Sequence, residues 1–78
     1  MTLSNAELYK IWEASPPTRR LVLTRLLEED GEWISGELLA DRCGVSRQAI
    51  NKNVFVLRRL GVLIEARSKK GYRYTEDI

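Results

Sequence analysis

Histidine is absent from the 78 residues, which removes the commonest general base, a usual zinc ligand and every Ser-His or Cys-His nucleophilic pair. Catalysis of those kinds is excluded by composition, and the protein is not expected to be an enzyme. The single cysteine cannot close an internal disulfide. At an apolar position ahead of a turn, Cys43 reads as a small core residue. No metal site, no cofactor and no small-molecule effector is expected. Gly31, Gly36, Gly44, Gly61 and Gly71 are scattered at element ends and nowhere form the clustered G-x-x-x-x-G-K-[ST] cradle that nucleotide phosphates need. No apolar run approaches the roughly 20 residues of a membrane span, and no charged segment leads into an apolar one as in a signal peptide. No membrane partner is expected, and the reducing cytoplasm is the expected compartment, on the nucleoid when bound to DNA.

What is present is the composition of an ordinary globular chain, 44% apolar and 31% charged, at a length that admits one small domain. The net charge of +2 hides an uneven division. Residues 1–45 carry five basic groups against eight acidic, whereas residues 46–74 carry eight basic groups against Glu65 alone, and Glu76 and Asp77 follow. A local excess of +7 on one side of a small domain makes a strong positive field, whose common partner is a polyanion.

Hydrophobic spacing and punctuation divide the chain. Leu8, Ile11 and Trp12 recur at helical spacing behind Ser4 or Asn5 as possible N-caps, which predicts a short helix over residues 4–14. Ser15-Pro16-Pro17 breaks it. Residues 18–30 resume as a helix with Val22, Leu23, Leu26 and Leu27 in one arc and Gly31 at the stop, and the Glu28-Glu29-Asp30 run at its end reads as a solvated face. Trp33-Ile34 is long enough only for a bridging strand. Ser35 caps a helix to about Cys43, Gly44 ends it, and Ser46 caps a longer helix to Leu60 that Gly61 terminates. A strand over residues 62–67, a Ser68-Lys69-Lys70-Gly71 turn and a return strand over residues 72–75 complete the order.

On a helical wheel with Arg47 at zero, Arg58, Asn51, Gln48, Arg59 and Lys52 fall between about 20° and 140°, while Val56, Ala49, Leu60, Leu57, Ile50 and Val54 fill the rest. The mixture on the polar side suits a reader of base edges. Arginine grips guanine O6 and N7, Asn and Gln grip adenine N6 and N7, and a helix fits the major groove. Phe55 interrupts this face, where packing under the hairpin, a partner chain or a thymine methyl would explain it, the first two being favoured. Asn53 points into the apolar arc and is expected to be buried with hydrogen-bond partners. Trp33, Tyr72 and Tyr74 read as packing, with a phosphate hydrogen bond open to Tyr72.

The string Ser35-Gly36-Glu37-Leu38-Leu39-Ala40-Asp41-Arg42-Cys43-Gly44-Val45-Ser46-Arg47-Gln48-Ala49-Ile50-Asn51-Lys52, with Leu57-Arg58, Gly61-Val62 and Lys70-Gly71-Tyr72 after it, closely resembles the winged helix-turn-helix domain at the N-terminus of biotin operon repressors and biotin-protein ligases. The resemblance covers about residues 21–74. It implies a bihelical unit over residues 36–55, with Arg47, Gln48, Asn51 and Lys52 toward an operator and Lys69 and Lys70 at the wing tip. The chain differs from that family in stopping soon after the wing, so biotin chemistry and biotin sensing are not expected, and in a front segment with Tyr9 and Trp12.

The expected fold is therefore mainly α with a small β-wing: a winged helix-turn-helix, with a three-helix core, a hairpin and an extra N-terminal helix. Residues 1–17 are expected to form an extension and residues 18–78 the domain. The expected function is sequence-specific binding of double-stranded DNA by a transcription regulator, a repressor rather than an activator, acting as a homodimer. Ser46, Arg47, Gln48, Asn51 and Lys52 would meet base edges or nearby phosphates, and Arg58, Lys69, Lys70 and Arg73 would hold the backbone. Leu8, Ile11 and Trp12 either close the core or, with Phe55, form the candidate dimer seam. The rival is a winged-helix module that binds an acidic protein, and RNA is disfavoured because the hairpin is too small to stack bases.

Overall fold

Capping chemistry begins every helix but one in the computed structural model, which describes residues 3–75; Met1, Thr2, Glu76, Asp77 and Ile78 lie outside them. Ser4 opens α1 (Asn5–Ala14) with a capping box, its hydroxyl oxygen accepting from the Glu7 N–H while the Glu7 carboxylate accepts from the Ser4 N–H. The exception is α2 (Pro17–Glu28), which starts on a proline. The proline pair does not merely break the chain, as the sequence suggested. Pro17 occupies the first helical position, where its missing N–H has no partner to lose and its fixed φ favours the helix.

The front segment is held to the body by polar contacts as well as by its apolar face. The Arg20 guanidinium donates to the carbonyls of Trp12, Glu13 and Ser15 at the C-terminus of α1 and lies 4.7 Å from the Trp12 ring centroid. The Trp12 carbonyl also accepts from the Ser15 N–H, Arg20 supplies further donors at this helix end, and a cation there matches the helix dipole. Trp12 Nε1 donates to Thr24 Oγ1 at 3.1 Å, and the buried Ser15 hydroxyl donates to the Ile11 carbonyl. Leu8 enters the core, with Ile11 and Trp12 packed against it. Three of the four residues expected at a dimer seam thus face their own chain.

At the end of α2 the left-handed residues are Asp30, with φ 51°, and Gly31, so the helix stops at Glu28 rather than Asp30. Ile34 then pairs with Tyr72 as the expected bridge, each N–H donating to the other's carbonyl at 2.8 Å. Ser35 caps α3 (Gly36–Cys43) and Ser46 caps α4 (Arg47–Arg59), each through its hydroxyl oxygen. Between them Gly44 takes φ 67°, and the Val45 N–H returns to the Ala40 carbonyl, closing the turn.

The same C-terminal closure shortens the first strand. Gly61 is left-handed at φ 103°, and the N–H groups of Gly61 and Val62 return to the carbonyls of Arg58 and Leu57. Val62 therefore finishes the helix, and β1 (Ile64–Arg67) begins two residues later than expected. It pairs antiparallel with β2 (Gly71–Tyr74), placing Ile64 opposite Tyr74 and Glu65 opposite Arg73. Four helices and a hairpin surround one core whose fully buried members include Leu23, Leu26, Ile34, Leu39, Ile50, Leu57 and Ile64. Truncating such a residue to alanine costs about 2 to 5 kcal/mol. The architecture is the mainly helical, winged helix-turn-helix one that the sequence predicts.

Asn53 is buried in α4, as the wheel requires. Its amide donates to the Ala49 carbonyl at 2.8 Å, and its oxygen accepts from Arg19 Nε on α2 at 3.2 Å. Cys43 is buried as well, and burial pushes its thiol pKa up, keeping it protonated and inert at neutral pH.

Candidate nucleic-acid interface

The exposed side of α4 is where the charge imbalance of the sequence becomes geometry. Ile50, Asn53, Val54 and Leu57 turn inward, leaving Arg47, Gln48, Asn51, Lys52 and Arg58 in solvent. Arg47, Lys52 and Arg58 have no acidic partner among the described residues, and neither has Lys69 at the wing turn. The arginines of the other elements are engaged. Arg19 holds Asn53, Arg20 caps α1, Arg25 pairs with Glu28, and Arg42 pairs with Glu29. The positive field is thus uncompensated on the α4 face and largely satisfied elsewhere.

A groove of about 480 Å³ joins this face to the wing. Ser35 and Gly36 at the start of α3, Arg47 and Asn51 on α4, and Lys69, Lys70 and Tyr72 on the hairpin all border it, and Glu37 adds one carboxylate. Of the residues expected to contact a polyanion, Arg47, Asn51, Lys69 and Lys70 are therefore brought together. Gln48 and Lys52 share the exposed α4 surface without bordering the groove. Ser46 stands at the helix start with its oxygen engaged in the cap, which leaves its hydroxyl hydrogen for an outside acceptor. Arg58 shares the angular sector of Arg47 but sits about 16 Å further along the axis at 1.5 Å per residue.

Arg73 has a different setting from the one its charge suggested. Successive strand residues point to opposite faces, and with Tyr72 on the groove Arg73 turns away from it. Its guanidinium pairs with Glu65 at 2.7 Å and lies 4.8 Å from the Trp33 ring centroid. Lys70 Nζ lies 5.5 Å from the same ring. The guanidinium groups of Arg73 and then Arg67 hold the Glu65 carboxyl below the ordinary carboxylate range. Trp33 is thus a platform under two wing cations rather than simple packing.

Phe55 does not pack under the wing. It is 61% exposed on the outer face of α4, with the Arg59 guanidinium 5.7 Å from its ring centroid. Tyr72, first read as packing or as a phosphate donor, has its hydroxyl directed at Asn51 Oδ1. Nothing in the local pattern of the sequence signals that contact, because its partners are 21 residues apart. Among the described residues no His, Cys, Asp and Glu side chains gather as a metal site, and no helix is long and apolar enough to cross a membrane.

Comparison with known proteins agrees with this geometry. Residues 18–73 match the family described as HTH domain. The chain is similar to the bifunctional ligase/repressor BirA of Salmonella typhimurium, 48% identical over 58 residues that make up 74% of this chain and 18% of that protein. It is likewise similar to BirA of Bacillus subtilis, 42% identical over 72% of this chain and 18% of the relative, and of Escherichia coli, 45% identical over 63% and 15%. The chain spans less than a fifth of the length of these relatives. The resemblance carried by residues 35–52 and the wing is thereby borne out: the chain belongs to the helix-turn-helix domain family, in its winged form.

Proposed function

We propose that the protein binds double-stranded DNA sequence-specifically and regulates transcription, as a repressor, with α4 in the major groove and the wing along the backbone or minor groove. The observation that carries this reading is the unpaired set Arg47, Lys52, Arg58 and Lys69 around the carboxamides of Gln48 and Asn51 on one exposed face. A solvated helix gains nothing from leaving its cations unpaired on one side, whereas a duplex supplies their counter-charges and the carboxamides supply base discrimination. Family membership supports DNA-binding transcription regulation, and BirA relatives named as repressors favour repression.

In the proposed complex Arg47, Gln48, Asn51 and Lys52 approach base edges, while Ser46, Arg58, Lys69 and Lys70 contact phosphates. Arg73 acts mainly by holding the wing's shape. Two copies bind one site with their α4 helices in successive major grooves. With Leu8, Ile11 and Trp12 engaged, the large apolar groups left exposed for a seam among the described residues are Tyr9, Leu27, Leu38, Phe55 and Leu60. Selection of bound sequences from a random duplex pool, followed by sedimentation on the winning site, tests the proposal. A defined half-sited motif bound by two chains supports it.

The exposed Phe55 and Leu60 favour one second reading, a module that docks an acidic protein. It predicts no enrichment of any duplex sequence in the same selection.

A further inference from the structure

From the Tyr72 to Asn51 contact we infer that Tyr72 is a positioning residue for base recognition, its hydroxyl fixing the carboxamide of Asn51 so that the selectivity Asn51 confers depends on a strand of the wing. The inference rests on the DNA-binding reading above and adds to it a residue that touches no base. An exposed carboxamide turns freely about its last torsion, whose wells are broad and nearly two-fold, so an unsupported asparagine offers donor and acceptor edges in competing orientations. Here the Tyr72 O–H donates to Asn51 Oδ1. The second lone pair of that oxygen and both amide hydrogens remain for a base, now in one orientation, and the cost of ordering them is met before binding.

Tyr72 can do this because it lies beyond the wing turn, anchored in β2. Its N–H and carbonyl are both bonded to Ile34 at 2.8 Å. Its ring lies against the start of α3, so close that a Cβ on Gly36 would stand 3.4 Å from the ring edge. Gly71 before it tolerates no side chain, since a Cβ there would fall 2.1 Å from the Ile34 carbonyl oxygen. The hydroxyl is thereby held from the backbone outward. A hydroxyl has one hydrogen, so donation to Asn51 and donation to a DNA phosphate are mutually exclusive.

The test is Tyr72→Phe, which keeps the ring and its packing and removes only the hydroxyl, alongside Asn51→Ala and the double variant. Binding is measured on the selected duplex, on each single base-pair change of it and on random duplex, after thermal melts of all variants. The expected result is a loss of discrimination of roughly three- to tenfold at one base pair, the range of one net hydrogen bond. Affinity for random duplex is unchanged, and Tyr72→Phe has no further effect in the Asn51→Ala background. Equal weakening on all duplexes would overturn the inference in favour of a phosphate contact. Full discrimination in Tyr72→Phe would overturn it outright. Side-chain amide resonances of Asn51 in the free protein give a readout without DNA: they should shift and broaden in Tyr72→Phe, and unchanged resonances would refute the contact. Wild-type protein that selects no duplex would instead overturn the DNA-binding reading itself.

Discussion

Gly71→Ala deletes no side-chain group and adds one carbon, yet it should be among the most damaging single changes in the wing. At φ 98° the backbone of Gly71 is in a region that L residues avoid, at a cost of about 1 to 2 kcal/mol. The added Cβ would also stand 2.1 Å from the Ile34 carbonyl oxygen and 2.6 Å from Ser35 Cα, both backbone atoms that no rotamer change can move. The strand must separate from residues 34 and 35, losing the two hydrogen bonds between Ile34 and Tyr72, each with a net worth of about 0.5 to 1.5 kcal/mol. Together these give about 2 to 5 kcal/mol, a large share of the 5 to 15 kcal/mol typical of a domain. Urea titration followed by circular dichroism reads the stability. Tryptophan fluorescence reports the wing, because Trp33 lies under Lys70 and Arg73. A midpoint within about 0.5 kcal/mol of wild type, with unchanged fluorescence, would refute the close approach of β2 to Ile34 and with it the anchoring of Tyr72.

Further outcomes follow from the same geometry. Arg47→Ala should lose about 1 to 3 kcal/mol on the selected duplex and much less on random duplex, whereas Lys69→Ala with Lys70→Ala should weaken both and flatten the salt slope by roughly one unit per lost contact; titrations in which these patterns were exchanged would make the wing the reader. The folded pKa of Glu65 is depressed below its unfolded value, so the stability it contributes is present above the ordinary carboxylate pKa of about 4.3 and is lost as pH falls through the depressed value. Melts across acid pH should therefore show a steeper decline in wild type than in Glu65→Gln, and parallel declines would show that the pairs with Arg73 and Arg67 contribute nothing to folding.

The parts of the fold legible in the sequence are those written in local chemistry. Ser35, Ser46, Gly44 and Gly61 mark helix ends through interactions with residues three to five positions away, a reach within which spacing alone is informative. The inward set Ile50, Val54 and Leu57, and the burial of Asn53, follow from helical periodicity for the same reason. Pro17 was misread because one residue type both ends a helix and begins the next. Of the candidate interface, the exposed polar side of α4 was legible and the setting of the wing only in part, since charge says that Arg73 is basic but not that Glu65 and Trp33 engage it. Arg19 with Asn53 spans 34 residues and Tyr72 with Asn51 spans 21, and only the folded chain brings such partners together.

The dependence of duplex affinity on salt tests the central claim most directly, because it counts the phosphates that the unpaired cations of α4 and the wing neutralise. For two chains on one selected site, log K should fall linearly with log salt at a slope corresponding to roughly four to eight phosphates at −0.9 each. A slope near zero, or no binding to any duplex at low salt, would contradict the claim that this face binds DNA.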